Sequence, residues 1–458
     1  MPCGSVACEW ATGEVLELSV FTYLSPLPSL DCNHYHIPLL ASCKTISLLS
    51  IHIMTKATPN TNGDSGHSAG CSTDLLHLLN AFENTSIDSE IERSQLISAA
   101  TTFLARLQSP WETIRRHLVD SPAVQLSLKV CMDLELFQKW KDAGNGDKTA
   151  AELAQLTGCD EELLQRFLRH LAVEYLLAEV APGTYAQTEF TLAMCTPHFG
   201  AWPQYMHETV LDTWKAMPKV LADRGYKNDS LTVIDGAFQV ATHTTGQSIF
   251  DYFASHPGQA KTFNNAMTGY GAERCSWLDI FPSTNLLENV VEGPVLVDVG
   301  GNIGHDVEKF RKRHPDKASR LVLQDLPAVV GDAILGDQVQ VMPHNFFEPQ
   351  PVRHARAYYL HSVLHDWPDA NALQILENLK PAMKHGYSKL LLNEIVVLDR
   401  ISTSSPQVTS FDLAMMGLCA AQERTELMWR TLLGRAGFKV IKIWTSEAAV
   451  ESIIEAEI

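Results

Sequence analysis

The chain has 458 residues, 45% hydrophobic and 19% charged, which is globular composition with material for two or three domains and a sizeable core. Lys and Arg total 35 against 53 Asp and Glu, a formal charge of −18, so the long-range field repels phosphate backbones and no nucleic-acid partner is expected. The 10 cysteines are scattered without metal-site spacing, no metal ligands are assigned, and no apolar run reaches the ~20 residues that span a bilayer; an intracellular, cytoplasmic protein without membrane attachment is expected.

In chain order, residues 1–53 hold short apolar scraps such as Ile46–Ile53 without a basic region before a sustained apolar stretch, so a signal peptide is not predicted. They read as a poorly ordered extension or a misassigned gene start. The polar stretch from Met54 to Thr73 completes a flexible tail, residues 1–73. A helical and winged-helix region is expected over 74–197. Leu75–Leu79 opens it, and a helix near Glu92–Gln108 places Ile97, Ala100, Phe103 and Leu104 on one face. Pro122–Gly144 reads as one largely buried helix at a subunit contact. Thr149 caps a helix that ends at Gly158, Asp160 caps a second one running to Leu176, and Leu177–Phe190 reads as a hairpin turning at Pro182-Gly183. In the second helix, Arg166, Arg169 and His170 are balanced by Glu161, Glu162 and Glu174. With the acidic net charge, that favours packing or dimerisation over DNA binding.

Residues 198–290 form a helical, aromatic-rich linker, including Tyr205, Trp214, Phe250, Phe263 and Trp277, expected to serve both as core and as a ligand-pocket wall. From Val291 to the end, the runs Val295–Val299, Leu321–Leu323, Val339–Met342, Tyr358–Leu360, Leu390–Val397 and Val440–Trp444 alternate with helical stretches. That predicts an α/β catalytic domain over 291–458, a mostly parallel sheet with helices on both faces and its ligand at the carboxyl ends of the strands.

The strand ends carry the informative residues. Asp298 precedes Gly300-Gly301-Asn302-Ile303-Gly304, where glycine lets backbone approach a ligand closely. Asn302 and His305 break the dinucleotide fingerprint, which needs glycine there. Asp325 ends the second strand, where an acid can accept both ribose hydroxyls. His344-Asn345-Phe346 follows the third strand and His361 ends the fourth, ahead of His365-Asp366-Trp367, which sets a potential base on the sheet's functional rim. Glu394 lies inside an apolar strand, where a carboxylate is costly unless partnered. Glu423-Arg424-Thr425-Glu426 leads into a helix that Thr425 can cap. The plainer reading of Glu423, Arg424 and Glu426 is a set of surface salt bridges.

In this order and spacing, the VDVGGxxG, QDLP, NFF, LHDW, LNE and ERT segments resemble the cation-independent small-molecule O-methyltransferases of the caffeate and flavonoid type, particularly their fungal secondary-metabolite branch, over about Pro122–Trp444. The resemblance implies a Rossmann-like methyltransferase sheet, S-adenosylmethionine as cofactor, a homodimer built through a winged helix that does not bind DNA, and a small aromatic, polyketide-like acceptor. It implies that Gly300 and Gly301 contact the methionyl part of the cofactor, Asp325 the ribose, Asn345 and Phe346 the adenine, and that His361 is a basic cofactor contact. It implies His365 as general base, held and polarised by Glu394 and Glu423, and Phe263, Asn264 and Met267 as lining of the acceptor pocket. Two positions depart from the family: Asn345 stands where Asp is common, and His361 where Lys or Arg is usual. A histidine base and an acidic hydroxyl favour phenol methylation. N- or C-methylation on the same fold, or a winged-helix regulator with a vestigial catalytic domain, are the competing readings.

Overall fold

The structure, a computed structural model, describes residue 87 and residues 89–458 apart from 228–230, 273, 289, 291–292, 332, 400–405 and 448. The expected extension over 1–73 and the helix from Leu75 lie outside these residues.

Local signals set the N-terminal helices. Ser89 caps the helix Glu90–Leu107, and Ser109 closes a capping box with Glu112 at the start of Pro110–Arg115. The single helix expected over Pro122–Gly144 is instead two, Ser121–Asp133 and Leu136–Asp142, because Glu135 takes a left-handed conformation (φ +53) between them. The break lets Leu136, Phe137 and Trp140 turn inward while Leu126 stays exposed. The pair β1 (Lys148–Thr149) and the helix Ala150–Thr157 follows, with Thr149 in a capping box and Gly158 left-handed (φ +72) at the end. Asp160 caps Glu161–Val173, which stops three residues short of the expected Leu176, since Tyr175 turns left-handed at φ +59. Strands β2 (Ala178–Ala181) and β3 (Thr184–Ala186) turn at Gly183, φ +69, and β1 completes a three-stranded sheet in the order β1-β3-β2. Leu153, Leu164, Leu168, Leu171 and Tyr185 close the core of this part.

The C-terminal sheet contains β4 (Leu296–Val299), β5 (Leu321–Asp325), β6 (Gln340–Pro343), β7 (Ala357–His361), β8 (Lys389–Val397), the short β9 (Arg424–Thr425), β10 (Lys439–Trp444) and β11 (Glu451–Glu457). Its order is β10-β11-β8-β7-β4-β5-β6, with β9 beside β8. The six expected strands are all present. Pairing is parallel from β6 to β8, with Leu296 opposite both Leu321 and Ala357, and antiparallel where β11 inserts between β8 and β10. Helices cover both faces, so the central strands β4, β5, β7 and β8 are buried on both sides. Tyr358 and Leu360 pack with Trp429, Leu376 and Leu433 on one face, while Ala357 and Tyr359 pack with Trp277, Phe281 and Phe310 on the other. Each fully buried large apolar side chain contributes roughly 1.5–3 kcal/mol by leaving water. Among the described residues, no helix is long and apolar enough to cross a membrane.

This topology positions the site. Consecutive strands run outward on opposite sides from β4 and β7, so the crevice between their carboxyl ends is where an open parallel sheet binds ligand. Gly300, Asp325, Asn345, His361 and His365 all follow those ends.

Candidate active site

The loop after β4 is shaped by space as well as by dihedral angles. Gly300 has φ +73, and a Cβ there would come 3.0 Å from a Val363 methyl and 3.5 Å from the Phe346 ring. At Gly301 an added Cβ would lie 2.4 Å from the Asp298 carboxyl carbon and 2.6 Å from a Leu323 methyl. A side chain at either position would collide with the protein's own packing, so the loop can lie against Asp298, Leu323 and Val363 only with glycine there. Asp298 is buried beneath it, and neither carboxylate oxygen has a hydrogen-bond partner of good geometry. Burial and the neighbouring Asp306 and Asp325 hold its carboxyl well above the usual range. Asn302 adds a buried, unpartnered Oδ1.

Asp325 ends β5 half-buried. Its Oδ2 accepts from the Asn302 amide at 2.8 Å and its Oδ1 from the Leu326 amide at 2.7 Å. Two backbone donors fix the carboxylate, and each oxygen keeps a lone pair for a ligand hydroxyl. Burial raises its pKa against those two amide bonds. Phe346 is half-buried, borders the Gly300 space, and meets Trp367 edge-on with centroids 6.0 Å apart. Asn345 is exposed, and its Oδ1 accepts from the Phe347 amide at 3.0 Å, so the acceptor anticipated for a ligand is turned onto its own loop.

His361 is engaged on both sides: Nδ1 with Asp306 Oδ2 at 2.5 Å and Nε2 with Glu451 Oε1 at 3.0 Å. The Tyr359 hydroxyl also donates to Asp306 at 3.2 Å, and the Ser362 hydroxyl to Glu451 at 3.2 Å. Neither ring nitrogen of His361 is left over for a direct contact with a further group.

His365 sits in the turn Leu364–Asp366 that follows β7, next to Ser362 in left-handed conformation at φ +49. Its Nδ1 is 2.8 Å from Glu423 Oε1, and its Nε2 faces Asp366 Oδ1 at 3.5 Å. With Nδ1–H donating to a carboxylate, Nε2 is the nitrogen that can take a proton. Burial alone would lower the pKa of this ring; Asp366, Glu423 and Glu394 outweigh it and raise His365 to about 10. Burial pushes Asp366 up to about 6 and Glu394 up to about 7, with the His365 charge pulling both down.

Glu394 does not hydrogen-bond the ring. Its Oε1 accepts from the Val363 and Leu364 amides at 3.2 and 2.9 Å, while its Oε2 is buried without a partner. It therefore shapes the loop that carries His365 and reaches the ring through its charge. Glu423 is held by its own amide, which donates to Asp412 at 2.9 Å. Glu423 and Arg424 are buried, contrary to the surface salt bridges their charges suggested; Glu426 is exposed and pairs with Arg430 at 2.8 Å. Arg424 donates to the carbonyls of Leu364 and Trp367, both at 2.8 Å, and to Asp369, clamping the loop on both sides of His365. Sequence reasoning missed Asp366, Asp412 and this clamp. Asp366 adjoined a residue already singled out, but the partners of Asp412 and Arg424 are set by folding alone.

Phe263 and Met267 lie on the helix Pro257–Ala272 and pack into the aromatic cluster. Phe263 stacks on Phe253 at 4.8 Å and tilts against Tyr205 at 5.7 Å. Asn264 is half-buried on the same helix. Phe250 links this cluster to the base loop by stacking on Trp367 at 5.4 Å. The arrangement can cradle a nucleoside-bearing ligand against β4 and β5, place an aromatic ring beside the linker helices, and accept a proton at His365 between them.

The profile of the O-methyltransferase domain family matches residues 228–439. O-methyltransferase mfmE of Annulohypoxylon moriforme is 42% identical over 399 residues, 87% of this chain and 98% of that protein. O-methyltransferase mpaG' of Penicillium brevicompactum is 35% identical over 80% of this chain and 93% of its own. Among solved structures, LepI in complex with SAM matches with a TM-score of 0.77 and 28% identity, covering 85% of this chain and 99% of that one.

Proposed function

The chain belongs to the O-methyltransferase family as an S-adenosylmethionine-dependent enzyme of secondary metabolism, and from that premise we propose that it methylates a phenolic hydroxyl of a small aromatic, polyketide-like metabolite, with His365 as general base. The observation that carries this reading is the buried His365–Glu423 pair, 2.8 Å apart, set at the carboxyl end of the sheet between the glycine loop and the aromatic helices.

The residues fit the cofactor. Gly300 and Gly301 would lie along its methionyl part, the unpartnered Asn302 Oδ1 could meet a polar group, and Asp325 would offer two fixed oxygens to the ribose. Phe346 would flank the adenine, with Asn345 at its edge. When bound, S-adenosylmethionine supplies a methyl group already activated as a sulfonium. The chain's own tasks are alignment, worth up to ~7–11 kcal/mol, and proton removal, worth ~10²–10⁴-fold.

His365 Nε2 takes the proton of the acceptor hydroxyl while Nδ1–H stays on Glu423. A phenol titrates near ~10, so with His365 raised to about 10 the transfer is nearly balanced in free energy. An aliphatic alcohol is far weaker as an acid and is disfavoured. The cost falls on the resting state: at pH 7 the ring is mostly protonated, and freeing it over about three units takes ~4 kcal/mol. The rate should therefore climb with pH from neutrality toward the alkaline range. Phe263, Asn264 and Met267 would wall the acceptor, residues 198–290 acting as the connecting segment.

We also propose a homodimer. Leu107, Trp111, Leu118 and Val119 are exposed along the N-terminal helices, and a second copy of the same helices would cover them.

The test of the reaction is methyl transfer to a panel of phenols by wild-type protein and His365→Gln. A loss of about 10²–10⁴-fold in turnover with cofactor binding intact supports it; near-normal turnover in the variant removes His365 from the role.

A further inference from the structure

The aromatic cluster of the linker helices holds a buried hydroxyl, that of Tyr205. Tyr205 closes the helix Pro197–Tyr205, and the chain then widens into a π turn, Met206–Val210, a form found mostly as single turns inside helices and often at functional sites. The Tyr205 ring centroid is 5.7 Å from that of Phe263 and 6.1 Å from that of Trp202. Cys419 and Ala421, from the segment that leads to Glu423, belong to the same cluster, and Phe250 ties it to the His365 loop through Trp367. Tyr205 therefore stands between the linker helices and the two loops that carry the base and its carboxylate.

Packing accounts for the ring but not for the hydroxyl. Tyr205 is 6% exposed, and no described group accepts a hydrogen bond from its hydroxyl. A buried tyrosine usually finds a partner for that proton, and leaving it unmet is costly, whereas phenylalanine would fill the same space without the cost. Asp366 acts on the hydroxyl through its charge and faces His365 Nε2 at 3.5 Å. Burial pushes the Tyr205 pKa up, and Cys419 and Asp366 add to the rise. The group thus stays a donor through the alkaline range in which His365 becomes a free base.

We propose that the Tyr205 hydroxyl donates a hydrogen bond to a second oxygen of the methyl acceptor, so that the enzyme selects arenes carrying a carbonyl or a further hydroxyl besides the hydroxyl it methylates. The role is one of binding and selectivity, and no bond forms or breaks at Tyr205. A site built to hydrogen-bond a substrate oxygen discriminates against the analogue that lacks it, because the buried donor is then left unpaired. The proposal rests on the phenol reading above.

The test compares matched acceptors with S-adenosylmethionine in full-length wild type and Tyr205→Phe, which keeps the ring and its packing. The probes are the positional isomers of hydroxyacetophenone, of dihydroxybenzene and of ethylphenol, the last matching the first in size but lacking a second oxygen. A carbonyl also acidifies a phenol, so the quantity read is the ratio of the two proteins for each probe. Tyr205→Phe should lose about 5–50-fold in kcat/KM, carried mostly by KM, on a two-oxygen probe, and under about 2-fold on the ethylphenols, at an unchanged melting temperature. A loss confined to the hydroxyacetophenones identifies the second oxygen as a carbonyl, and one confined to the dihydroxybenzenes identifies it as a hydroxyl. An equal loss on the ethylphenols overturns the assignment, as does no loss on any two-oxygen probe or a wild type that methylates the ethylphenols alone. Methylation of no probe by wild type would instead bring down the phenol reading, and the assignment with it.

Discussion

Replacing Glu423 with Gln should both weaken the base and move its titration toward neutral pH. The carboxylate lies 2.8 Å from His365 Nδ1, both groups are buried, and Asp366, Glu423 and Glu394 together overcome the desolvation that would otherwise lower the ring's pKa. A glutamine keeps the shape and an acceptor oxygen but removes one of those charges. Hydrogen bonds to charged groups are worth ~1.5–3 kcal/mol, which at about 1.36 per unit lowers the His365 pKa by roughly one to two units. The sign follows from which form is stabilised: the lost charge favoured imidazolium, so the free base appears at lower pH. The acid limb of kcat/KM, which falls about tenfold per unit below the base's pKa, should shift down by the same one to two units. The plateau should drop about 10–100-fold, because the ring loses its alignment and some basicity. The assay is the pH profile of methyl transfer for both proteins, paired with an NMR titration of the His365 ring assigned from its absence in His365→Gln. An unmoved or upward-shifted limb, in a variant that melts like wild type, would refute the electrostatic reasoning.

Three further outcomes follow from packing. Gly301→Ala should cost cofactor affinity and stability, since the new methyl would sit 2.4 Å from the Asp298 carboxyl carbon; calorimetry with S-adenosylhomocysteine and a melting curve check it. Arg424→Met leaves the carbonyls of Leu364 and Trp367 without their donor, at ~1–3 kcal/mol each, so the melting temperature should drop by several degrees and turnover with it; a variant as stable as wild type would remove the clamp. Placing Glu at both Leu107 and Leu118 should halve the mass seen by light scattering from twice 50.7 kDa; an unchanged dimer would put the interface elsewhere, and a wild-type monomer would end the dimer proposal.

Much of this fold is legible in local chemistry. Thr149, Asp160 and Thr425 cap the helices their spacing announced, and the runs at β4, β5, β7 and β8 stood out because parallel strands buried on both faces read as continuous hydrophobic stretches. The strand ends on which the candidate site residues stand follow from those runs. What was not legible depends on partners far away in sequence. Strand β11, Glu451–Glu457, hides because its acids look like surface. Glu451 and Glu455 are buried, partnered by His361 and by Lys389 and Trp444, while the half-buried Glu457 meets Lys389 at 3.1 Å. Glu394 was expected at the imidazole, yet two backbone amides claim it first. The break at Glu135 has no glycine or proline to mark it; a non-glycine residue adopts φ +53 so that three large side chains can enter the core.

The central claim is proton removal by His365 from a phenol, with the methyl group drawn from S-adenosylmethionine. A single-turnover experiment with methyl-labelled cofactor, a phenolic panel and chelator, run on wild type and His365→Gln, tests it most directly. The account predicts a labelled methyl ether with wild type, formed faster as pH rises from 7 toward 10, and a rate lower by about 10²–10⁴-fold in the variant at equal cofactor occupancy. A methyl ether formed at the same rate by both proteins, or label appearing on carbon or nitrogen, would contradict it.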